Sequence, residues 1–572
     1  GYPTSKAIQE YLAYAFDYWR TPPRYLLIVG DGVDRYTAER LAGDMALVPV
    51  PIVGIYRWGL AGSDHVYSLQ TGTDMLPDLF VARLPAPDVG SVETAVEKII
   101  QFEQSPTLDD WRKRVTMVSG IGVAFSSQID ALSHTIPDRY EVQKFYSSTL
   151  TRDFPPFEGR KEEFIALANK GALWTIFLGH AGGGIWDANR LLEPLDASLR
   201  INNSGKAGVF LSMTCFTGAW ESPGINALSE TMMFSRNGGA VAWFGANGVG
   251  WYYNDFLLTE SILAASIRAT RSTLELGEVI AAGKTDYALR YGSPNPGPTS
   301  FTQAVLHEFS LVGDPAMRIR PPEPTLTITP SVHTPVFGQQ VGLTGTVGST
   351  VSGSAVLAVY DDEHLLRHTI TDIPVTNGSF NASVTIPDSA GLVLPSGTAA
   401  TGLTVKGYVS TSGTDQRDWT GHVRLAIRES LIDSVVVEST SRDSVFVSAI
   451  VRDSDGIDVV TCIAAVDASN LVDEVPMERV GDTDRYRTTR PLDLSRLQST
   501  DPAAIVRIRI RATDSGGRIT ERDDIPAIYP NRASKIAITD IDIDGIANAE
   551  IAVTVNNVGT GQSDSTSLAL FL

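Results

Sequence analysis

The chain has 572 residues, too many for one hydrophobic core, and at ~100–200 residues per domain it implies roughly three to five domains. With 43% hydrophobic and 20% charged residues it describes a globular chain and excludes a disordered one. A net charge of −20 argues against a nucleic-acid partner, whose phosphates call for Lys and Arg, and no apolar run reaches the ~20 residues of a membrane span.

Elements follow in chain order. Ile8, Leu12, Phe16 and Trp19 recur at helical spacing. Leu26–Val29 reads as a buried strand ending in Gly30-Asp31-Gly32, and Leu79–Ala82 as a second. Ser91 is placed to cap a helix with Val92, Ala95, Ile99 and Phe102 on one face. Strand-like runs follow at Val115–Val118, Leu173–Leu178, Val209–Met213 and Ala240–Phe244. Ser222-Pro223 is expected to open a helix with Ile225, Leu228 and Met232 on one face, ended by Gly238-Gly239. Continuous apolar runs between helices predict an α/β domain with a mainly parallel sheet flanked by helices.

The pattern changes at Pro321-Pro322-Glu323-Pro324, which reads as a linker. Beyond it Leu326–Ile328, Gly342–Val347 and Ser354–Val359 read as short strands, as do Ser434–Val437, Val445–Val451 and Ile505–Ala512. Asp453–Gly456 and Asp514–Gly517 are turn signals. This spacing predicts all-β immunoglobulin-like sandwich domains. The expected domains are 1–322 (α/β), 323–429 and 430–531 (β-sandwiches), and 532–572, the start of an incomplete β domain.

The chemistry is concentrated in one window. The run Leu173–Leu178 ends in Gly179-His180-Ala181-Gly182-Gly183-Gly184, and Val209–Met213 ends in Thr214-Cys215-Phe216-Thr217-Gly218. A His and a Cys thus stand at the carboxyl ends of two successive strands, where open α/β sheets place their ligand crevice. The intervening Leu191–Lys206 is long enough for a crossover, so the two strands can be parallel neighbours. A thiolate is a strong nucleophile, and an imidazole can take its proton. The Cys215 amide with one from Ala181, Gly182 or Gly183 is placed to form an oxyanion hole. Read singly, a cysteine or histidine at a strand end is by default a structural residue.

The first ~320 residues resemble the caspase-like catalytic domain of the gingipain family of cysteine peptidases. The blocks that carry the resemblance, in order, are 25–31, 63–67, 77–85, 97–103, Gly179-His180, 213–218, 238–242 and 311–316. The resemblance implies His180 as the catalytic histidine and Cys215 as the nucleophile. It also implies Trp251 as a wall of the substrate pocket, and Asp130 as the acid that would receive a basic side chain before the scissile bond. Family members commonly read Gly-His-Gly; here Ala181 follows the histidine. The best-known members place a catalytic acid after the strand matching Val115–Ser119, and here Gly120-Ile121-Gly122-Val123 holds no carboxylate. The family's N-terminal subdomain is expected to be absent, and the chain to begin inside a longer precursor.

Other groups weigh less. Asp31, Asp34, Asp74 and Asp78 sit in turn-like segments able to take structural calcium; solvated loop acids are the plainer reading, and no cofactor is required. Asp64-His65 has the look of a dyad within a structural block. Asp187 and Glu221 flank the site and are by default surface acids. Asp453, Asp455 and Asp458 lack the distal Glu of a calcium loop, and His364 and His368 lie in a strand-like stretch where that spacing makes no metal face. Cys215 and Cys462 lie in unlike segments, so no disulfide is expected, and Cys462 reads as core. Val553–Gly561 resembles the start of a CARDB-type adhesion module. The expectation is a secreted or cell-surface cysteine endopeptidase acting on protein or peptide substrates through a Cys-His dyad, cleaving after basic residues. The C-terminal β domains would serve attachment. The alternative is a catalytically inactive gingipain-like adhesion protein.

Overall fold

The computed structural model describes residues 4–32, 48–150, 157–222, 227–269, 273–335, 339–387, 394, 400–412, 416–427, 431–441, 444–452, 457–466, 472–493, 506–514, 519–522, 536–542 and 552–557. Two compact units emerge: Gly1–His333 with Gln340–Val384 and Val393–Leu425, and Thr334–Gln339 with Thr385–Leu392 and Ala426–Leu572.

The α/β part begins with helix α1 (Ser5–Tyr18), capped by the Thr4 hydroxyl accepting from Ala7 N at 3.2 Å. Its strands are β1 (Tyr25–Val29), the hairpin β2 (Ile52–Ile55) and β3 (Gly59–Gly62), β4 (Phe80–Leu84), β5 (Arg114–Ser119), β6 (Glu141–Ser147), β7 (Phe157–Gly159) and β8 (Trp174–Leu178). They continue with β9 (Ala181–Gly182), β10 (Ile185–Trp186), β11 (Val209–Met213), β12 (Ala242–Ala246), β13 (Leu274–Glu275), β14 (Phe309–Val312) and β15 (Arg318–Ile319). The helices are α2 (Val89–Gln104), α3 (Val123–Ser133), α4 (Lys161–Asn169), α5 (Pro194–Leu199), α6 (Leu228–Phe234), α7 (Tyr252–Ala265), α8 (Leu276–Tyr291) and α9 (Phe301–Glu308). Two boundaries differ from expectation. The cap of α2 is Asp88, whose carboxylate accepts from Ser91 N, so Ser91 lies inside the helix. Helix α6 starts at Leu228, and Pro223 and Ile225 lie outside the described residues.

Nine strands form one sheet in the order β1-β4-β14-β12-β11-β8-β5-β6-β7. From β12 through β7 every pairing is parallel. β14 runs antiparallel to β12 and carries β4 and β1 in its own sense, which makes the sheet mixed. Alternation along the strands splits the core in two. Val115, Met117, Ile176, Leu211 and Met213 face Phe125 and Ile129 of α3 and Leu258 and Ile262 of α7. Val118, Phe177, Phe210 and Trp243 face Phe164 of α4 and Leu228 and Met232 of α6. Both faces are therefore covered, as buried parallel strands require.

The proline-rich segment is bound rather than free. Glu323 N donates to Asp418 O and Thr420 N to Glu323 O, since the one non-proline residue between prolines keeps its donor. A three-stranded sheet of β16 (Thr327–Pro330), β17 (Gln340–Thr346) and β20 (Ser379–Thr385) follows. A four-stranded one is built of β18 (Gly353–Tyr360), β19 (Leu366–Val375), β21 (Gly402–Thr411) and β22 (Asp418–Ala426), in the order β19-β18-β21-β22. This β region joins the α/β part through the buried Arg112–Asp418 ion pair, Lys406 Nζ on Tyr140 O and Thr420 Oγ1 on Arg139 O.

In the second unit one antiparallel sheet runs through β23 (Leu431–Ser441), β24 (Ser444–Arg452), β25 (Ile457–Val466), β26 (Val472–Arg479), β27 (Arg485–Thr488), β28 (Leu492–Asp493), β29 (Val506–Asp514) and β30 (Ile519–Arg522). Cys462 is fully buried there with Val447, Ile508 and Ile510. β31 (Ile536–Asp542) and β32 (Ala552–Asn557) pair with each other, and residues 558–561 of the CARDB-like stretch lie outside the described residues.

Candidate active site

β8 and β11 are parallel neighbours with Leu178 opposite Met213, and His180 and Cys215 each come two residues after that pair. Adjacent strands lie ~4.8 Å apart, so both residues emerge on one rim at the carboxyl end of the sheet. The Thr214 hydroxyl donates to Gly179 O at 2.6 Å and ties the two strand ends together. Gly179 also meets β5: a Cβ on Gly120 would lie 2.9 Å from Gly179 Cα, so both positions need glycine. Cys215 is half-buried, and its thiol donates to Gly250 O at 3.8 Å. His180 is exposed, with its ring edge against Phe125 of α3 at 5.0 Å between centroids. Among the described residues no hydrogen bond joins the thiol to the imidazole.

The stretch after His180 folds back at once. Ala181 and Gly182 form β9, paired with Trp186 and Ile185 of β10, and Asp187 N closes the hairpin on His180 O at 2.9 Å. Trp186 anchors it in the core, stacked 4.3 Å from Phe177 and donating its indole N–H to Ser212 Oγ. Ala181 and Gly182 thus follow the histidine on a fixed backbone.

On the other side Phe216 adopts a left-handed φ of 58°, held by its N–H on Gly248 O at 2.8 Å. Its ring meets Trp58 of the β2–β3 turn at 5.1 Å. Loop 247–251 closes over this segment. Gly250 has room only for hydrogen, since a Cβ would stand 2.4 Å from Asp255 Oδ2 and 3.1 Å from Cys215 N. Two buried carboxyls hold the loop from beneath. Asp255 Oδ1 accepts from Trp251 N at 2.9 Å; Glu308 accepts from Val249 N at 3.0 Å and from the Trp251 indole at 3.1 Å. Burial pushes Asp255 up to about 7 and Glu308 up to about 8. Burial likewise raises the Cys215 thiol, and the charges of Asp255 and Glu308 push it the same way.

The other candidates fall as follows. Trp251 sits beside Cys215's loop, packed on Phe301 at 4.9 Å. Asp130 is on α3, and its Oδ1 accepts from Lys144 Nζ at 2.7 Å and from the Tyr146 hydroxyl. Asp187 and Glu221 are not surface acids: they are 5% and 3% exposed, since each accepts backbone or side-chain donors that repay burial. Asp64 binds buried Arg83 through two 2.7 Å bonds, while His65 bonds Met75 O and Ser68, so the two form no dyad. Asp31, Asp74 and Asp78 accept neighbouring backbone N–H groups as turn caps. Asp34, Asp453 and Asp455 lie outside the described residues. Among the described residues no three His, Cys, Asp or Glu side chains converge as a metal site. The left-handed Phe216 and the acids under loop 247–251 were missed in the sequence, where only a Trp-x₃-Asp spacing at Trp251 and Asp255 hinted at a helix-start contact.

A histidine and a half-buried cysteine thus stand at the ends of adjacent parallel strands, on a sheet covered by helices. The sequence model of peptidase family C25 matches residues 1–320, more than half of the chain, and the chain belongs to that family of cysteine peptidases. Similar solved structures include the Arg-specific cysteine proteinase gingipain R (RgpB), at 16% identity and TM-score 0.46, covering 74% of this chain and 88% of that one. Another is the complex of Porphyromonas gingivalis RgpB pro- and mature domains, at 16% identity and TM-score 0.45, covering 74% and 90%. Dimeric latent PorU from Porphyromonas gingivalis matches at 13% identity and TM-score 0.28, covering 97% and 53%. A comparison with curated protein sequences finds no match.

Proposed function

We propose that the protein is a secreted or cell-surface cysteine endopeptidase in which Cys215 attacks the scissile carbonyl and His180 moves the protons. His180 takes the thiol proton as sulfur bonds to carbon. The resulting oxyanion is received by the Cys215 amide and one from Ala181 or Gly182. The C–N bond then breaks as His180 returns the proton to the amine, leaving a thioester, which water cleaves with His180 again as base. The observation that carries this reading is the Leu178–Met213 register, locked by Thr214 on Gly179. Peptide-library cleavage by wild type and not by Cys215→Ala is the expected result; equal cleavage by both refutes it.

Cleavage after basic residues would require a free carboxylate beside the pair. Asp130 is engaged by Lys144 and Tyr146, and Asp255 and Glu308 are spent on loop 247–251. Phe125 instead touches both His180 and Tyr252, and Trp58 meets Phe216, the residue after Cys215. This supports a preference for apolar or aromatic side chains. The immunoglobulin-like reading of the β regions, and their use in attachment, belong to the same proposal. A second reading, a catalytically idle adhesion protein, is favoured by the raised Cys215 thiol and its bond to Gly250 O. Absence of any cleavage by an activated wild type would select it.

A further inference from the structure

We infer that Asp187 is the positioning residue of the site, the carboxylate that fixes His180 relative to Cys215; the inference rests on the peptidase reading above. Asp187 lies at the end of the hairpin that carries His180, 5% exposed and at a left-handed φ of 65°. Its own N–H donates to His180 O at 2.9 Å. Its Oδ1 accepts from Ile121 N at 3.2 Å, just past β5, and its Oδ2 from the Ser147 hydroxyl at the end of β6. Asn189 Nδ2 supports Ser147 Oγ from the other side at 3.1 Å. The carboxylate therefore binds two strand ends, β5 and β6, and the backbone N–H of the same residue holds the segment after β8, at the rim where the imidazole stands.

A turn residue needs none of this. Left-handed φ at a hairpin end suits Gly or Asn, and an Asp there with no further role would leave its carboxylate in water. Burying a carboxylate costs free energy unless donors are built around it, and here two converge from different strands. The close approach of Gly120 to Gly179 leaves room for it: a Cβ at position 120 would also lie 3.6 Å from Asp187 Oδ1. In dyads and triads the base is held by a further group, and the segment after β5, where the resemblance would put an acid, is glycine-rich. The carboxylate arrives from the β10 side instead.

The test separates the carboxylate from the turn. Glycine accepts a φ of 65° better than aspartate does, so Asp187→Gly keeps the backbone and deletes only the carboxylate. On a peptide cleaved by wild type and not by Cys215→Ala, Asp187→Gly should lower kcat by about tenfold to a hundredfold with KM within about twofold. Ser147→Ala should show a smaller loss of the same kind, and circular dichroism should show a folded protein at the assay temperature. Wild-type kcat in Asp187→Gly, or a loss shared equally with KM, overturns the inference. If Asp187→Gly does not fold, unchanged kcat in both Asp187→Asn and Ser147→Ala overturns it. An active Cys215→Ala would instead bring down the peptidase reading, and the inference with it.

Discussion

The hydroxyl of Thr214 donates to the carbonyl of Gly179 at 2.6 Å, linking the residue before the cysteine to the residue before the histidine. Beyond Met213 and Leu178 the sheet ladder ends, and this one side-chain bond continues the pairing for a further step. It makes the separation of Cys215 and His180 a property of the sheet rather than of two independent loops.

Thr214→Val keeps the shape and removes the donor, leaving a buried carbonyl unpaired. Unfolding in urea should show a loss of about 1–3 kcal/mol. kcat should fall as well, while Thr214→Ser should restore both. Wild-type stability and kcat in the valine variant would show that the bond does not hold the pair.

Arg83 of β4 is fully buried, paired to Asp64 and set 4.2 Å over the Trp220 ring. Asp64→Asn strands that guanidinium without a counter-charge, and chemical denaturation should register a loss of about 3–5 kcal/mol. A loss under about 1 kcal/mol would mean that Gly30 O and the ring suffice.

These two contacts show what the sequence could and could not disclose. Asp64, Arg83 and Gly30 stand in separate family blocks and touch in the fold, so the blocks are one buried polar cluster. The strands β8 and β11 were legible because apolar runs ending in glycine-rich turns need no tertiary information. The boundary at Ser91 failed because Asp88 three residues earlier is an equally good cap. The burial of Asp187 and Glu221 was illegible because their donors, Ile121 N, Gly62 N and Asn247, are distant in sequence. The same holds for Asp130, whose partners Lys144 and Tyr146 come from the next strand.

Glu308 predicts a pH dependence. Its carboxyl rises from an ordinary 4.5 to about 8 on folding, chiefly through burial. Below about 4.5 both folded and unfolded chains hold the proton. Between there and about 8 the folded state binds more protons than the unfolded one, so stability falls as pH rises through this window. Asp255 adds to the fall up to about 7 and Glu230 up to about 8. Thermal unfolding from pH 5 to 8.5 should show Glu308→Gln with the flatter profile. The same variant removes a charge that raises the Cys215 thiol, so its alkylation should move to lower pH. Cys462, buried and pushed up to about 12, stays silent in the folded protein. A Glu308→Gln profile as steep as wild type would place the effect elsewhere.

Substrate choice tests the surroundings of the pair. An Arg or Lys side chain entering beside Phe125 and Tyr252 would lose water without gaining a carboxylate, because Asp130 Oδ1 is held by Lys144 and Tyr146. Phe or Leu would gain contact area with no such loss, worth about 1.5–3 kcal/mol when fully buried. Relative kcat/KM on matched substrates should therefore rank Phe and Leu above Arg, Lys and Gln by about tenfold or more. Asp130→Asn should leave the ranking unchanged, since the carboxylate it removes faces β6. Arg as the best substrate, with that preference lost in Asp130→Asn, would show instead that Asp130 releases its partners to receive the substrate, and the apolar reading would be abandoned.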